Sequence, residues 1–286
     1  MTKFNKLSLA LAMTAAVVSA PASAITFSAG DFKFNFDNYD AGTTGYPVGS
    51  PACASAAACD AAAISHAAGA VGSEDTWGVF SIQSITKISD NSSVYVKGQG
   101  GQFLTGMFGG LVDEEVYVTP AGFGVNTVIA GSNGGWMKLF SNASDYNANQ
   151  GPAGRTGTYD YNGITGGTLL LDAVFAGSAI NGAPVSYVST YNDGSLQGAG
   201  SGYLDVVGGD WAWMLDTDSL FDTAGNTRDL FLDVTFNDAN GQASALGWSV
   251  TSAGQVKGYV QVPEPASLAL LGLGLLGLAA ARRRAA

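Results

Sequence analysis

Residues 31–40 read Asp-Phe-Lys-Phe-Asn-Phe-Asp-Asn-Tyr-Asp. Phe32, Phe34 and Phe36 alternate with Lys33, Asn35 and Asp37, which is the period of a half-buried strand with aromatics on one face. From Trp77 onward short strand candidates recur, at 77–83, 93–98, 115–119, 125–130, 136–140, 168–175, 185–190, 203–207, 211–215, 229–236, 245–251 and 256–262. Asp90-Asn91, Asn133-Gly134-Gly135, Asn192-Asp193-Gly194 and Asp238-Ala239-Asn240-Gly241 punctuate them as turns. Sustained amphipathic helix patterning is hard to find, and no propeller or solenoid repeat stands out. The pattern predicts an all-β chain, an antiparallel β-sandwich or jelly-roll-like domain. Residues 41–76 and 141–167 are rich in small and polar residues and read as long surface loops, the first with one helical turn around Asp60–Ala68.

Composition supports an ordered exported chain. Apolar residues make up 47% of the 286, enough to bury a core, while charged residues are only 12%. Net charge is −11. Nucleic acid is excluded as a partner, because phosphate binding needs clustered Lys and Arg.

The two ends read as addresses. Lys3 and Lys6 precede an apolar run from Leu7 to Val18, and Ala22 and Ala24 supply small residues at −3 and −1 of a cleavage site. Residues 1–24 are therefore expected to be a signal peptide, with Ile25 the first residue after cleavage. At the other end, Pro263-Glu264-Pro265 precedes 16 uncharged residues, 266–281, and then Arg282, Arg283 and Arg284. As a helix that run spans roughly 24 Å, and arginines at its far end can extend the reach and stay cytoplasmic. One C-terminal transmembrane helix is expected there. Read alone, it would serve as a plain membrane anchor.

The ordered set of Pro-Glu-Pro triplet, apolar span and terminal Arg cluster resembles the PEP-CTERM sorting signal of Gram-negative bacteria. The resemblance covers about the last 25 residues. It implies a precursor held transiently in the inner membrane, recognised by exosortase and cleaved near Pro263-Glu264-Pro265. It also implies a surface or extracellular-matrix protein made alongside exopolysaccharide, some relatives being linked to biofilm or floc formation. The chain then divides into a signal peptide (1–24), an exported β-rich domain (25–262) and a sorting signal (263–286). Residues 25–262 keep 7 basic and 22 acidic residues, a net charge of 7 − 22 = −15.

Chemistry in the middle is sparse. Cys53 and Cys59 are the two cysteines, and in an exported loop they are expected to pair. The bridge would close a seven-residue loop, worth about 2–2.5 kcal/mol on the chain-entropy model. His66, the one histidine, sits among alanines with no nucleophile or metal-ligand motif beside it. Asp113-Glu114-Glu115 and the acids Asp216, Asp218 and Asp222 read first as solvated charge; calcium binding and paired-carboxylate glycosidase chemistry are the less favoured readings. Trp211 and Trp213 would share one face of a strand, and core packing is favoured over sugar stacking. No metal site and no cofactor is expected, and the protein is read as not an enzyme. The leading expectation is a surface or matrix protein acting with exopolysaccharide. The alternative is a secreted carbohydrate-binding module, with or without calcium.

Overall fold

In the computed structural model, residues 25–177 and 184–262 are described. Ala22, Ala24, Pro263-Glu264-Pro265, the apolar run 266–281 and the Arg282–Arg284 cluster lie outside them. The strands are β1 (Gly30–Gly42), β2 (Gly49–Cys53), β3 (Thr76–Lys87), β4 (Ser93–Val96), β5 (Phe103–Gly122) and β6 (Val125–Asn142). A small hairpin, β7 (Arg155–Gly157) and β8 (Asp160–Tyr161), precedes β9 (Thr168–Phe175), β10 (Tyr187–Asn192) and β11 (Gly198–Gly208). A second small hairpin, β12 (Leu220–Phe221) and β13 (Thr227–Arg228), leads into β14 (Leu230–Asp238) and β15 (Val250–Val260). The helices are short: α1 (Ala56–Ala62), α2 (Ala212–Leu215) and α3 (Gly241–Ala245).

The order β6-β9-β11-β14-β15-β1-β3-β5, with β5 pairing back onto β6, closes a ring of eight antiparallel strands in a sandwich-like arrangement. The expected all-β antiparallel class is what the chain adopts. Closure hydrogen-bonds both edges of every ring strand over much of its length, which leaves few free edges. Phe32, Phe34 and Phe36 of β1 all turn inward and are buried, meeting Phe80 and Ile82 of β3, Met137 and Leu139 of β6, and Leu230 and Leu232 of β14. Between β6 and β11 two strands sit end to end: β9 pairs with Trp136–Ser141 of β6, and β10 with its Thr127–Ser132 stretch.

The loops read as surface form a second layer. Residues 63–75, 143–167 and 239–249 fold over the outer face of β3, β5 and β6 and bury Trp77, Tyr161, Ile164 and Trp248 in a cluster of their own. The Trp77 and Trp248 rings lie 5.4 Å apart. Arg155 of β7 stacks 4.5 Å over the Trp77 ring and pairs with the buried Glu74 carboxylate. Beneath this layer strands β3, β5 and β6 are therefore covered on both faces.

Several local readings are corrected. Residues 211–215 are not a strand: Leu215 N–H donates to the Trp211 carbonyl at 3.1 Å, closing one helical turn. Trp211 packs against Phe27 at 5.3 Å between ring centres, whereas Trp213 is 55% exposed. The candidates 245–251 and 256–262 merge into the single β15 after α3. Asn133-Gly134-Gly135 is no turn. It lies inside β6, where Gly134 (φ 70°) and Gly135 (φ 95°) bend the strand opposite Gly110 (φ 73°) of β5. The helical turn falls at Ala56–Ala62, earlier than expected, because the Ser55 hydroxyl caps it from the Ala58 N–H.

Candidate functional site

The inner stripe of β1 does not stop at Phe36. Asn38 and Asp40 continue it at two-residue spacing, so the ring interior turns from aromatic to polar toward one end. There the lumen opens in a mouth of about 70 Å³, lined among others by Asp40, Thr76, Asp113, Ser132, Tyr187 and Tyr191. A deeper chamber shares Asp40, Thr76 and Tyr187 with it and adds Asn38.

Local sequence explains how each group arrives. A bulge at Glu114 lets Asp113 and Val116 both face inward, opposite Ser132 and Ala130. Asp113 accepts hydrogen bonds from Tyr46 Oη at 2.5 Å and Ser132 Oγ at 2.7 Å, and is buried. Behind it Asp75 accepts from the Asp113 backbone N–H at 2.8 Å and from Thr43 Oγ1 at 3.1 Å. Asp40 accepts from Asn38 Nδ2 and, at 3.2 Å, from Ser252 Oγ. Gly200 and Gly202 of β11 face the lumen without side chains, and the Tyr187 hydroxyl lies where a Cβ on Gly200 would stand. The glycines hollow out the mouth and seat the tyrosine.

All partners of the two mouth carboxylates are neutral. Burial without a compensating cation pushes Asp40 up to about 7 and Asp113 up to about 6, from an ordinary 3.8. Asp75 is raised for the same reason. Tyr187 and Tyr191 are held well above the usual tyrosine range, by burial first and then by carboxylate charge, that of Asp40 followed by Asp113 at Tyr187 and that of Asp113 at Tyr191. Among the described residues, Oδ1 of the buried Asn38 has no hydrogen-bond partner. The arrangement sets two carboxyl groups and an unpartnered amide oxygen among hydroxyls, with no basic side chain in the lining.

The residues singled out from sequence fall mostly elsewhere. Cys53 and Cys59 are bonded, with Cα atoms 5.0 Å apart, tying β2 to α1. His66 is exposed, its Nδ1 3.7 Å from Asp60 Oδ1. Asp113, Glu114 and Glu115 part company: Asp113 enters the mouth, Glu114 accepts from the Ala56 N–H at the start of α1, and Glu115 accepts from Tyr117 Oη. Asp222 pairs with Arg228 at 2.9 Å, and Asp218 accepts from Thr227 Oγ1. Asn38, Asp40, Tyr187 and the β11 glycines carry no motif that marks them as a site in the sequence. The signal was present in the alternation of β1, which runs two steps past its last phenylalanine.

The last strand ends at Val260, at the pole opposite the mouth. A family model described as the PEP-CTERM protein-sorting motif matches residues 261–284. The chain carries a PEP-CTERM sorting motif. The match begins one residue after β15, so the sorting device is appended to the finished ring. A PEP-CTERM motif implies exosortase sorting of an exported protein with a membrane-anchored precursor. No curated protein and no solved structure matches the chain.

Proposed function

We propose that this exported protein is a non-enzymatic surface or extracellular-matrix component that acts with exopolysaccharide in biofilm or floc formation. The observation that carries the reading is the PEP-CTERM motif at 261–284, joined directly to the last strand of a closed β ring. Signal peptidase cuts after Ala24 (small residues at Ala22 and Ala24), and exosortase cuts near Pro263-Glu264-Pro265 while Arg282, Arg283 and Arg284 hold the precursor in the inner membrane. A ring with few open edges and a disulfide suits a protein that persists outside the cell. The test has two parts. Intact mass of the surface protein should end between residues 262 and 265, and the full tail should persist without exosortase. Deleting the gene should thin the matrix without abolishing polymer synthesis; an unchanged matrix would refute the role.

A second reading, a carbohydrate-binding module, is favoured by the mouth rather than by the tryptophans. Tyrosine rings beside hydroxyl and carboxylate acceptors are the usual furniture of a sugar pocket, and barrel mouths are common ligand sites. Trp211 and Trp213 do not supply a shared stacking face, one being packed and the other exposed. Retention of the purified protein on native exopolysaccharide, with and without a calcium chelator, tests the reading and its calcium dependence together.

A further inference from the structure

We infer that the mouth of the ring binds a ligand presenting a primary ammonium group. The inference rests on the second reading above, that the mouth is a ligand site, and narrows its chemistry.

Three observations converge on this ligand. Asp40 and Asp113 both line the mouth, and among the described residues no basic side chain lines it or the deeper chamber. Asp113 is buried and Asp40 partly so, and ionising either without a cation is costly, so a positive group entering there would supply the missing charge partner. Asn38 supplies an independent sign. Its side chain is 4% exposed, it lines the chamber beneath the mouth, and its Oδ1 is unpartnered among the described residues. An acceptor in that state calls for an N–H or O–H donor from the lumen. An ammonium carries three donors and one charge on a single atom, and so answers both needs.

The competing occupants fit less well. A hydroxyl-only ligand could serve Asn38 but would bring neither carboxyl group a charge partner. A divalent cation prefers six or more oxygens with several carboxylates among them, and no group of three His, Cys, Asp or Glu able to hold a metal is gathered among the described residues. Tyr187, Tyr191 and Phe236 line the same opening, with Tyr191 and Phe236 rings 6.2 Å apart, and aromatic faces favour an organic cation. The 70 Å³ of space holds roughly five water-sized groups, enough for an ammonium and the carbon that bears it but not for a whole sugar or chain. The ammonium could be borne by an amino sugar or by a free diamine.

Exported protein purified from the producing cells is titrated calorimetrically at pH 7 with two matched pairs, glucosamine against glucose and 1,4-diaminobutane against 1,4-butanediol. At least one amine should bind about tenfold or more tighter than its hydroxyl counterpart, a difference of about 1.4 kcal/mol. Asp40→Asn and Asp113→Asn should each remove most of that preference while unfolding stays cooperative. If either fails to fold, Ser189→Tyr, which plugs the rim, should abolish binding instead. Tighter glucosamine assigns the ammonium to an amino sugar; tighter diaminobutane assigns it to a free diamine. Equal binding of amines and hydroxyl counterparts would overturn the ammonium inference and leave a neutral-sugar mouth standing. Amine preference unchanged in the variants would place the site elsewhere and overturn it. No binding by any of the four would overturn both the inference and the reading it rests on.

Discussion

Asp40 occupies the position where the lumen changes character, and its chemistry should be visible in stability. Burial raises its carboxyl to about 7, so between pH 3.8 and 7 the folded chain holds a proton that the unfolded chain has released. Stability from this group is therefore full below about pH 4 and falls as pH rises through 7. Asp113, raised to about 6, adds a second loss in the same direction. Asp40→Asn removes the ionisation and keeps the shape. Its melting temperature should exceed that of the wild type at pH 8, and the gap should close by pH 4. Thermal unfolding at the two pH values checks this; a gap independent of pH would mean that the carboxylate is compensated. The position itself was legible. Period two from Phe32 reaches Asn38 and Asp40 on the same face, but polar residues on an apolar stripe read as the end of a strand. What the alternation could not reveal was a lumen, because that depends on Gly200 and Gly202 arriving from a strand 160 residues away.

At the level of elements, the long hairpin of β5 and β6 depends on missing side chains. Gly106 lies against the Phe80 ring and the Lys138 carbonyl, and a Cβ there would collide with both. Gly106→Ala should cost about 1–3 kcal/mol, the range for overpacking a filled interior, measured by denaturant unfolding. The same glycines hide the first half of β5 in the sequence: Leu-Thr-Gly-Met-Phe-Gly-Gly has neither alternation nor β-branched density, and strand patterning starts only at 115. Neighbouring β3 lost its alternation for the opposite reason. Its residues from Trp77 to Ile82 are all buried, since the outer loop layer covers the face that would otherwise meet water. The disulfide element was readable because two cysteines in an exported segment have few options. Replacing Cys53 and Cys59 together by alanine should lower stability by about 2 kcal/mol, the closure entropy of a short loop. The loss should match that caused by reducing the wild type. A loss far larger would show that β2 and α1 hold the ring together, beyond stapling their own turn.

The whole molecule has two unlike poles. The groove beside the last strand is lined by Ile25, Phe27, Trp211, Trp213 and Val262, so both ends of the described chain meet at one pole. Gln261 is fixed there, its N–H donating to the Met214 carbonyl at 2.9 Å and its Nε2 to the Trp213 carbonyl at 3.0 Å. Only residues 263–265 separate this groove from the apolar run at 266, a reach of at most about 14 Å. While the tail is held in the membrane, the exposed Trp213 is therefore expected to sit close to the lipid surface. The other pole is distant. Gln102, just before β5, lines the same groove, and β5 then runs 20 residues to the hairpin tip, up to about 65 Å away, where Phe123 is fully exposed. The mouth lies along that direction, so the precursor is expected to present it away from the membrane. Trp213→Cys and Phe123→Cys, each carrying a fluorophore, should respond oppositely in the precursor from a strain lacking exosortase. Spin-labelled lipid headgroups should quench the label at 213 and spare the label at 123. In the processed protein neither should be quenched, because the tether that fixed the orientation has gone. Equal quenching at both positions would mean that the ring lies flat on the membrane, and the mouth would then not face outward before release.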